Sequence, residues 1–287
     1  MELPNNCYRF EKNVYTDGIF EGCVDATYII HLEGNGRHDS IQQQLKEYHP
    51  TNTVYIVFNK GYKNCKKGDH IKLPTQDLTN AFLEIFKNAK IKNYKNILIL
   101  EDDFMFNEKI KDLSHQKNVH EFLKDNENEN IQYLLGCMPL IKIPYIYNLN
   151  HCRALVSLGC HACIYTKPNR EKTLKEKEEN IKDWDIYNCF SGGRYTYYIP
   201  LCYQLFPETE NSKLWGYENL LLLGLSKITK MVFSFFKLDV QAEPGYSFFY
   251  RFSNIFFFIL LFTLFTIIYW VYTYFSKISK KIKRKNK

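Results

Sequence analysis

Asn96-Ile-Leu-Ile-Leu-Glu-Asp-Asp-Phe104 runs from four aliphatic residues directly into three carboxylates. An uninterrupted apolar run of this length reads as a strand covered on both faces. Two similar runs lie upstream, Thr27-Tyr-Ile-Ile-His-Leu32 and Thr53-Val-Tyr-Ile-Val-Phe58, both rich in β-branched and aromatic residues. A polar-spaced helix from about Asp39 to Tyr48, stopped by Pro50, separates the first two. A second helix, capped by Asp77 or Thr79 and ending near Ala89, precedes the third; Leu78, Ala81, Phe82, Ile85 and Phe86 form its apolar stripe. Strands alternating with helices predict an α/β fold, with a mostly parallel sheet and helices on both faces. Downstream, Ile131–Met138 and Leu155–Tyr165 read as further strands, and Glu171–Asp183 as a charged helix. Residues 59–76 and 107–130 read as polar loops.

The acids sit where open α/β sheets bind ligands, at the carboxyl end of a parallel strand. Adjacent carboxylates repel one another, so a cation or a proton must relieve them. If the strand continues, Glu101 and Asp103 share one face and Asp102 the other. An acid-x-acid pair suits a hard divalent ion, Mn²⁺ or Mg²⁺, which binds carboxylate oxygens and substrate phosphates together.

Several segments resemble glycosyltransferase family 25. Ile97-Leu-Ile-Leu-Glu-Asp-Asp-Phe104 is similar to that family's "LEDD" segment, and Tyr28–Leu32 with Arg37 to its opening strand and basic turn. Gly159-Cys-His-Ala-Cys-Ile-Tyr165 resembles its "G-x-H-A-Y" strand, Asp183-Trp-Asp185 its "D-x-D" element, and Pro200-Leu-Cys-Tyr-Gln204 its "P-x-x-x-Q" strand, with Ser212 beyond. The family's "G-C-x-x-S-H" is replaced by Thr75-Gln-Asp-Leu-Thr-Asn80, and His31 stands where asparagine is usual.

The resemblance implies a GT-A-type, Rossmann-like transferase. It would move a sugar, galactose being one candidate, from a UDP-sugar to a hydroxyl of a glycan, lipid or protein. It further implies metal ligation by Asp103 and Glu101, ribose contact by Asp102, and donor phosphate or uracil contact by Arg37. Asp185, with Asp183 as the alternative, would be the base, and Trp184 between them would offer a sugar-stacking face. His161, Tyr203 and Gln204 are weaker candidates. Two rivals stand beside this reading: a metal-dependent phosphodiesterase using the same acids, and an inactive membrane-bound scaffold of the same fold.

Asn254 to Phe275 holds no charge. At ~1.5 Å per residue it extends ~33 Å, enough to cross a ~30 Å hydrocarbon core. Tyr269, Trp270, Tyr272 and Tyr274 crowd one end, as interfacial rings do. The last twelve residues carry seven basic side chains and no acid, so the net charge of +7 comes entirely from this tail. A formally neutral remainder argues against nucleic acid and places the basic charge beside lipid head groups. The organisation expected is an extension (1–26), a catalytic domain (27–213), an apolar helical connector (214–253), the membrane helix (254–275) and a basic tail (276–287). An endomembrane such as the endoplasmic reticulum or Golgi, or a viral membrane, is its expected place.

Orientation arguments conflict. No apolar signal segment opens Met1–Gly22, which favours a cytosol-facing domain. The tail's basic charge, and Lys283 and Lys285 spaced like a dilysine retrieval signal, favour a cytosolic tail instead. The cytosol-facing domain is the expectation carried forward. Nine cysteines without regular spacing read as reduced and mostly buried, with a zinc cluster of His151, Cys152, Cys160 and Cys163 a minor alternative.

Overall fold

The computed structural model describes residues 7–206 and 220–285; Ser212 and the 213/214 boundary lie outside them. Among the described residues, seven strands form one sheet in the order β1-β3-β2-β4-β7-β6-β8. These are β1 (Tyr8–Val14), β2 (Ala26–Leu32), β3 (Thr53–Asn59), β4 (Asn96–Glu101), β6 (Ile131–Pro144), β7 (His151–Thr166) and β8 (Gly193–Tyr197). The heart is parallel, β3-β2-β4, as the three apolar runs require. The flanks are not: β1 is antiparallel to β3, and β7 is antiparallel to both β4 and β6. The sheet is therefore mixed rather than mostly parallel. The β6–β7 hairpin supplies the antiparallel half, and β8 pairs with both of its strands, curling that end of the sheet.

Helix α1 (His38–Glu47) covers one face through Ile41 and Leu45. Helix α2 (Pro74–Ile91) covers the other through Phe82, Ile85 and Phe86. Strand residues alternate between these two cores: Tyr28, Val57 and Ile99 face α2, while Ile29, Ile56 and Leu100 face α1. Helix α2 begins earlier than its apolar stripe suggests, with Pro74 in its first turn and the Gln76 side chain accepting from the Leu73 amide. Asp77 is not a cap. It is buried and pairs with Lys67, whose ammonium also reaches Asn59 and the Tyr8 hydroxyl.

Four further departures follow. The polar stretch 107–130 contains helix α3 (Leu113–Asp125), capped by Asp112 and seated on Val119, Phe122 and Leu123. The charged helix is shorter and earlier, α4 (Lys167–Thr173), held by Pro168 in its first turn. Helix α5 (Trp184–Ser191) begins where that helix was expected to end. The N-terminal extension supplies edge strand β1, stapled by a Cys7–Cys65 disulfide, so two of the nine cysteines are oxidised. Among the described residues no group of three His, Cys, Asp or Glu could hold a metal ion; the Cys160 side chain of the expected zinc cluster lies outside them.

Helix α6 (Leu220–Phe235) leads to α7 (Gly245–Lys285), a single 41-residue helix. Its stretch Gly245–Ser276 is long and apolar enough to cross a membrane, and none of the most apolar window is buried in the protein. The helix starts nine residues before the charge-free segment. Tyr246, Tyr250 and Ser253 are buried against the domain, whereas Ile255 onward is largely uncovered.

Buried histidines give the fold an acid sensitivity. Burial pushes both His161 and His151 down to about 4. With an unfolded value near 6.5, each stabilises the fold fully above pH 6.5 and loses that contribution as pH falls towards 4, by at most ~3 kcal/mol apiece. Asp103, discussed below, acts oppositely between about pH 4 and 6. The slope is therefore isolated by comparing melting at pH 7 and 5 in the wild type with that of His151→Gln/His161→Asn, which is expected to flatten.

Candidate functional site: an acid cluster at the β2–β4 edge

Strands β2 and β4 lie side by side, with Ile30 opposite Glu101, and their chains go on to strands on opposite sides of the pair, β2 to β3 and β4 to β6. Such a divergence opens a crevice at the strand ends. The turn after β2 is built for close approach. Gly34 and Gly36 adopt φ of 81° and 77°, with open space where side chains would stand. This backbone conformation strongly favours glycine. The turn delivers Arg37 to the start of α1, whose first turn has no side-chain cap.

Arg37 binds two of the three acids. Its Nη1 donates to Asp102 Oδ1 at 2.7 Å and to Asp103 Oδ2 at 3.0 Å. Asp102 is buried and also accepts from the Leu32 amide at 3.2 Å and from the Asn35 side chain. His31 Nδ1 lies 3.5 Å away. Burial would raise the Asp102 carboxyl, but His31, Arg37 and Asn35 together hold it below the usual carboxylate range. Asp103 accepts from Gln204 Nε2 through both oxygens, at 3.1 and 3.2 Å. Burial pushes its carboxyl up to about 6, against the pull of Arg37. No described residue donates a hydrogen bond to Glu101 or forms an ion pair with it. Burial, then Asp103, Asp185 and Asp102, drive its carboxyl well above the ordinary range.

Gln204 ends β9 (Cys202–Gln204), which pairs with β5 (Phe104–Phe106) directly after the acids, Phe104 opposite Gln204. A Cβ on Gly159 would meet His161 Nδ1 at 3.3 Å and Gln204 Oε1 at 3.5 Å, so the Gly159–Tyr165 segment lies directly behind the cluster. His161 is fully buried there, with no hydrogen-bond partner at either ring nitrogen.

Segments spread from residue 31 to 204 thus meet at one place: Arg37, Glu101, Asp102, Asp103 and Gln204, with Gly159 and His161 behind, while Asp185 lies near enough to raise the Glu101 carboxyl. Asp183 is committed otherwise, since its side chain caps α5 by accepting from the Ile186 amide at 3.0 Å. Trp184 is core rather than a sugar platform. It stacks on Phe82 at 4.3 Å between centroids, and its indole N–H donates to the Tyr165 hydroxyl at 3.1 Å. Asn35 and Tyr246 were not legible as contributors: Asn35 reads as ordinary turn chemistry, and Tyr246 lies in an aromatic stretch of the connector.

Glu101 and Asp103 could offer a divalent ion at most two carboxylates, since among the described residues no group of three His, Cys, Asp or Glu could hold one. Glu101 lacks a donor and stands against other carboxylates, whereas Asp103 is already engaged by Arg37 and Gln204. Open surface depressions of about 370 and 430 Å³ lie elsewhere, around Tyr62–Ile71 and around Leu113–Glu121.

No family model and no curated protein matches the sequence. Among solved structures the chain is similar to A197 from STIV, at 12% identity over 64% of this chain and 86% of that one, with a TM-score of 0.34. A likeness of that size carries no inference about activity.

Proposed function

We propose that the chain is a membrane-anchored glycosyltransferase that uses a UDP-sugar. The carrying observation is the convergence of the separated family-like segments on one acid cluster with a bound arginine. Backbone N–H groups of the glycine turn and the uncapped start of α1, with Arg37, suit a diphosphate. Asp102, held by Leu32, Asn35 and Arg37, would make the ribose contact. Glu101 and Asp103 would hold Mn²⁺ or Mg²⁺ together with the donor's phosphates, since such ions bind through one or two carboxylates plus substrate oxygens. When bound, the ion neutralises charge on the leaving diphosphate. Asp185 takes the proton from the acceptor hydroxyl, the role Asp183 gives up by capping α5. A GT-A-type arrangement remains part of this proposal; the mixed α/β sheet is compatible with it.

Melting of the full chain with UDP, with and without Mn²⁺, tests the reading. Ligand at 100 times its Kd raises stability by ~2.7 kcal/mol. Stabilisation by UDP that Asp103→Ala removes is the expected result. No response to UDP or UDP-sugars would leave the scaffold reading standing.

For orientation we favour the domain on the non-cytosolic side, against the earlier expectation. A disulfide persists in oxidising compartments, and the basic tail suits the cytosol. The sequence has no Asn-x-Ser/Thr site, so Asp125→Asn with Glu127→Thr adds one in an exposed turn. Glycosylation in microsomes is expected; an unmodified, protease-sensitive domain would reverse the assignment.

A further inference from the structure

The membrane helix is built into the acid cluster. The Tyr246 hydroxyl accepts from the Gln204 amide at 2.9 Å and donates to the Gln204 carbonyl at 3.1 Å. The same Gln204 holds both oxygens of Asp103. Tyr203 is gripped alongside, its hydroxyl donating to Glu243 at 2.8 Å and its ring 5.1 Å from that of Tyr246. From Tyr246, α7 continues without a break and leaves the domain at Asn254. Eight residues of helix span ~12 Å. The cluster therefore stands within one gripping side chain and ~12 Å of helix from the point where the chain enters lipid.

The surface around that exit matches a bilayer interface. Met231, Phe235 and Val240 are 67%, 80% and 72% exposed, interspersed with exposed Lys227, Lys230, Lys237 and Arg251 and with the acids Asp239 and Glu243. Apolar residues among cations are the pattern of segments lying at lipid head groups. On α7 itself, Phe248 stacks on Phe252, and Phe252 on Phe256, carrying one aromatic ladder from the domain into the span. Beside the proposed base, α5 presents Ile186 and Phe190, 63% and 84% exposed and one helical turn apart. Nothing in the described fold covers them.

We infer that the acceptor is a membrane lipid whose head group carries a hydroxyl. This rests on the glycosyl-transfer reading and narrows its acceptor from glycan, lipid or protein to lipid. A rigid helix holds the cluster at head-group height, and exposed apolar side chains flank Asp185 where the acceptor's hydrophobic part would lie. The reaction balances as substitution at the anomeric carbon: the lipid oxygen forms the new C–O bond, the bond to UDP breaks, and the hydroxyl proton passes to Asp185.

The test uses the full chain in vesicles made from a total lipid extract of the expressing cells, with radiolabelled UDP-galactose and UDP-glucose. Label is expected in the chloroform-soluble fraction. Inserting twelve Gly/Ser residues between Ser253 and Asn254 should lower that label at least tenfold while UDP-induced stabilisation stays as in the wild type. Bound donor with no lipid label, label only in water-soluble saccharide or peptide, or lipid labelling unaffected by the insertion would each overturn the inference. Absence of UDP binding in the wild type would instead remove the transfer reading and this inference with it.

Discussion

Arg37→Ala is expected to cost the fold about 3–5 kcal/mol, the range for stripping one partner from a buried ion pair. The Asp102 and Asp103 side chains are only 10% and 15% exposed, and Arg37 is the cation paired with both. Without it, two carboxylates in consecutive positions, with Glu101 beside them, face one another in a poorly solvated pocket. For a domain of this size such a loss lowers the melting point by on the order of 10 °C. Adding Asp102→Asn and Asp103→Asn to Arg37→Ala removes the repulsion and should recover most of that loss. UDP-induced stabilisation should stay absent in the triple variant, which lacks Asp102 and Asp103 as well as the phosphate-binding cation. Recovery of stability there assigns the loss in Arg37→Ala to the unpaired carboxylates. If Arg37→Ala melts like the wild type, the guanidinium bridge does not form.

Trp184→Ala should be comparably severe, about 3–5 kcal/mol, as for other large aromatics removed from a core. Trp184 is 2% exposed, packed on Phe82 and Phe86 and tied to Tyr165. Trp184→Phe keeps most of the packing and loses the indole hydrogen bond, so about 1–2 kcal/mol is expected. A sugar-stacking tryptophan would behave differently, raising KM for the acceptor while leaving the melting point near its wild-type value. The core placement predicts a lowered melting point with KM unchanged in the phenylalanine variant. The opposite pattern would return Trp184 to the binding surface.

Asp183 and Trp184 show why pattern alone misassigned part of this region. In sequence, Asp-Trp-Asp offers two candidate acids around a ring, Asp185 slightly ahead of Asp183. Only the start of α5 distinguishes them, by spending Asp183 on its own N-terminus and turning Trp184 inwards. Helix α3 was missed for a related reason. Its buried face needs only Val119, Phe122 and Leu123, too few to raise a helical signal above the surrounding Asn, Lys and Glu. The antiparallel insertion of β7 next to β4 was equally hidden, because a strand's direction is not written in its side-chain pattern.

By itself, the sequence determined the three apolar strands of the sheet's centre, the helices on both its faces, the acids at a strand's end and one uncharged span of membrane length. These follow from short-range regularities, runs of apolar residues and their period, which act wherever the chain goes. Tertiary structure alone decided that Arg37 bridges Asp102 and Asp103, that Gln204 closes on Asp103, and that Tyr246 of the anchor helix grips Gln204. Each of these contacts joins residues more than forty positions apart. Their geometry depends on how strands are ordered and how far a helix continues, and no local spacing encodes either.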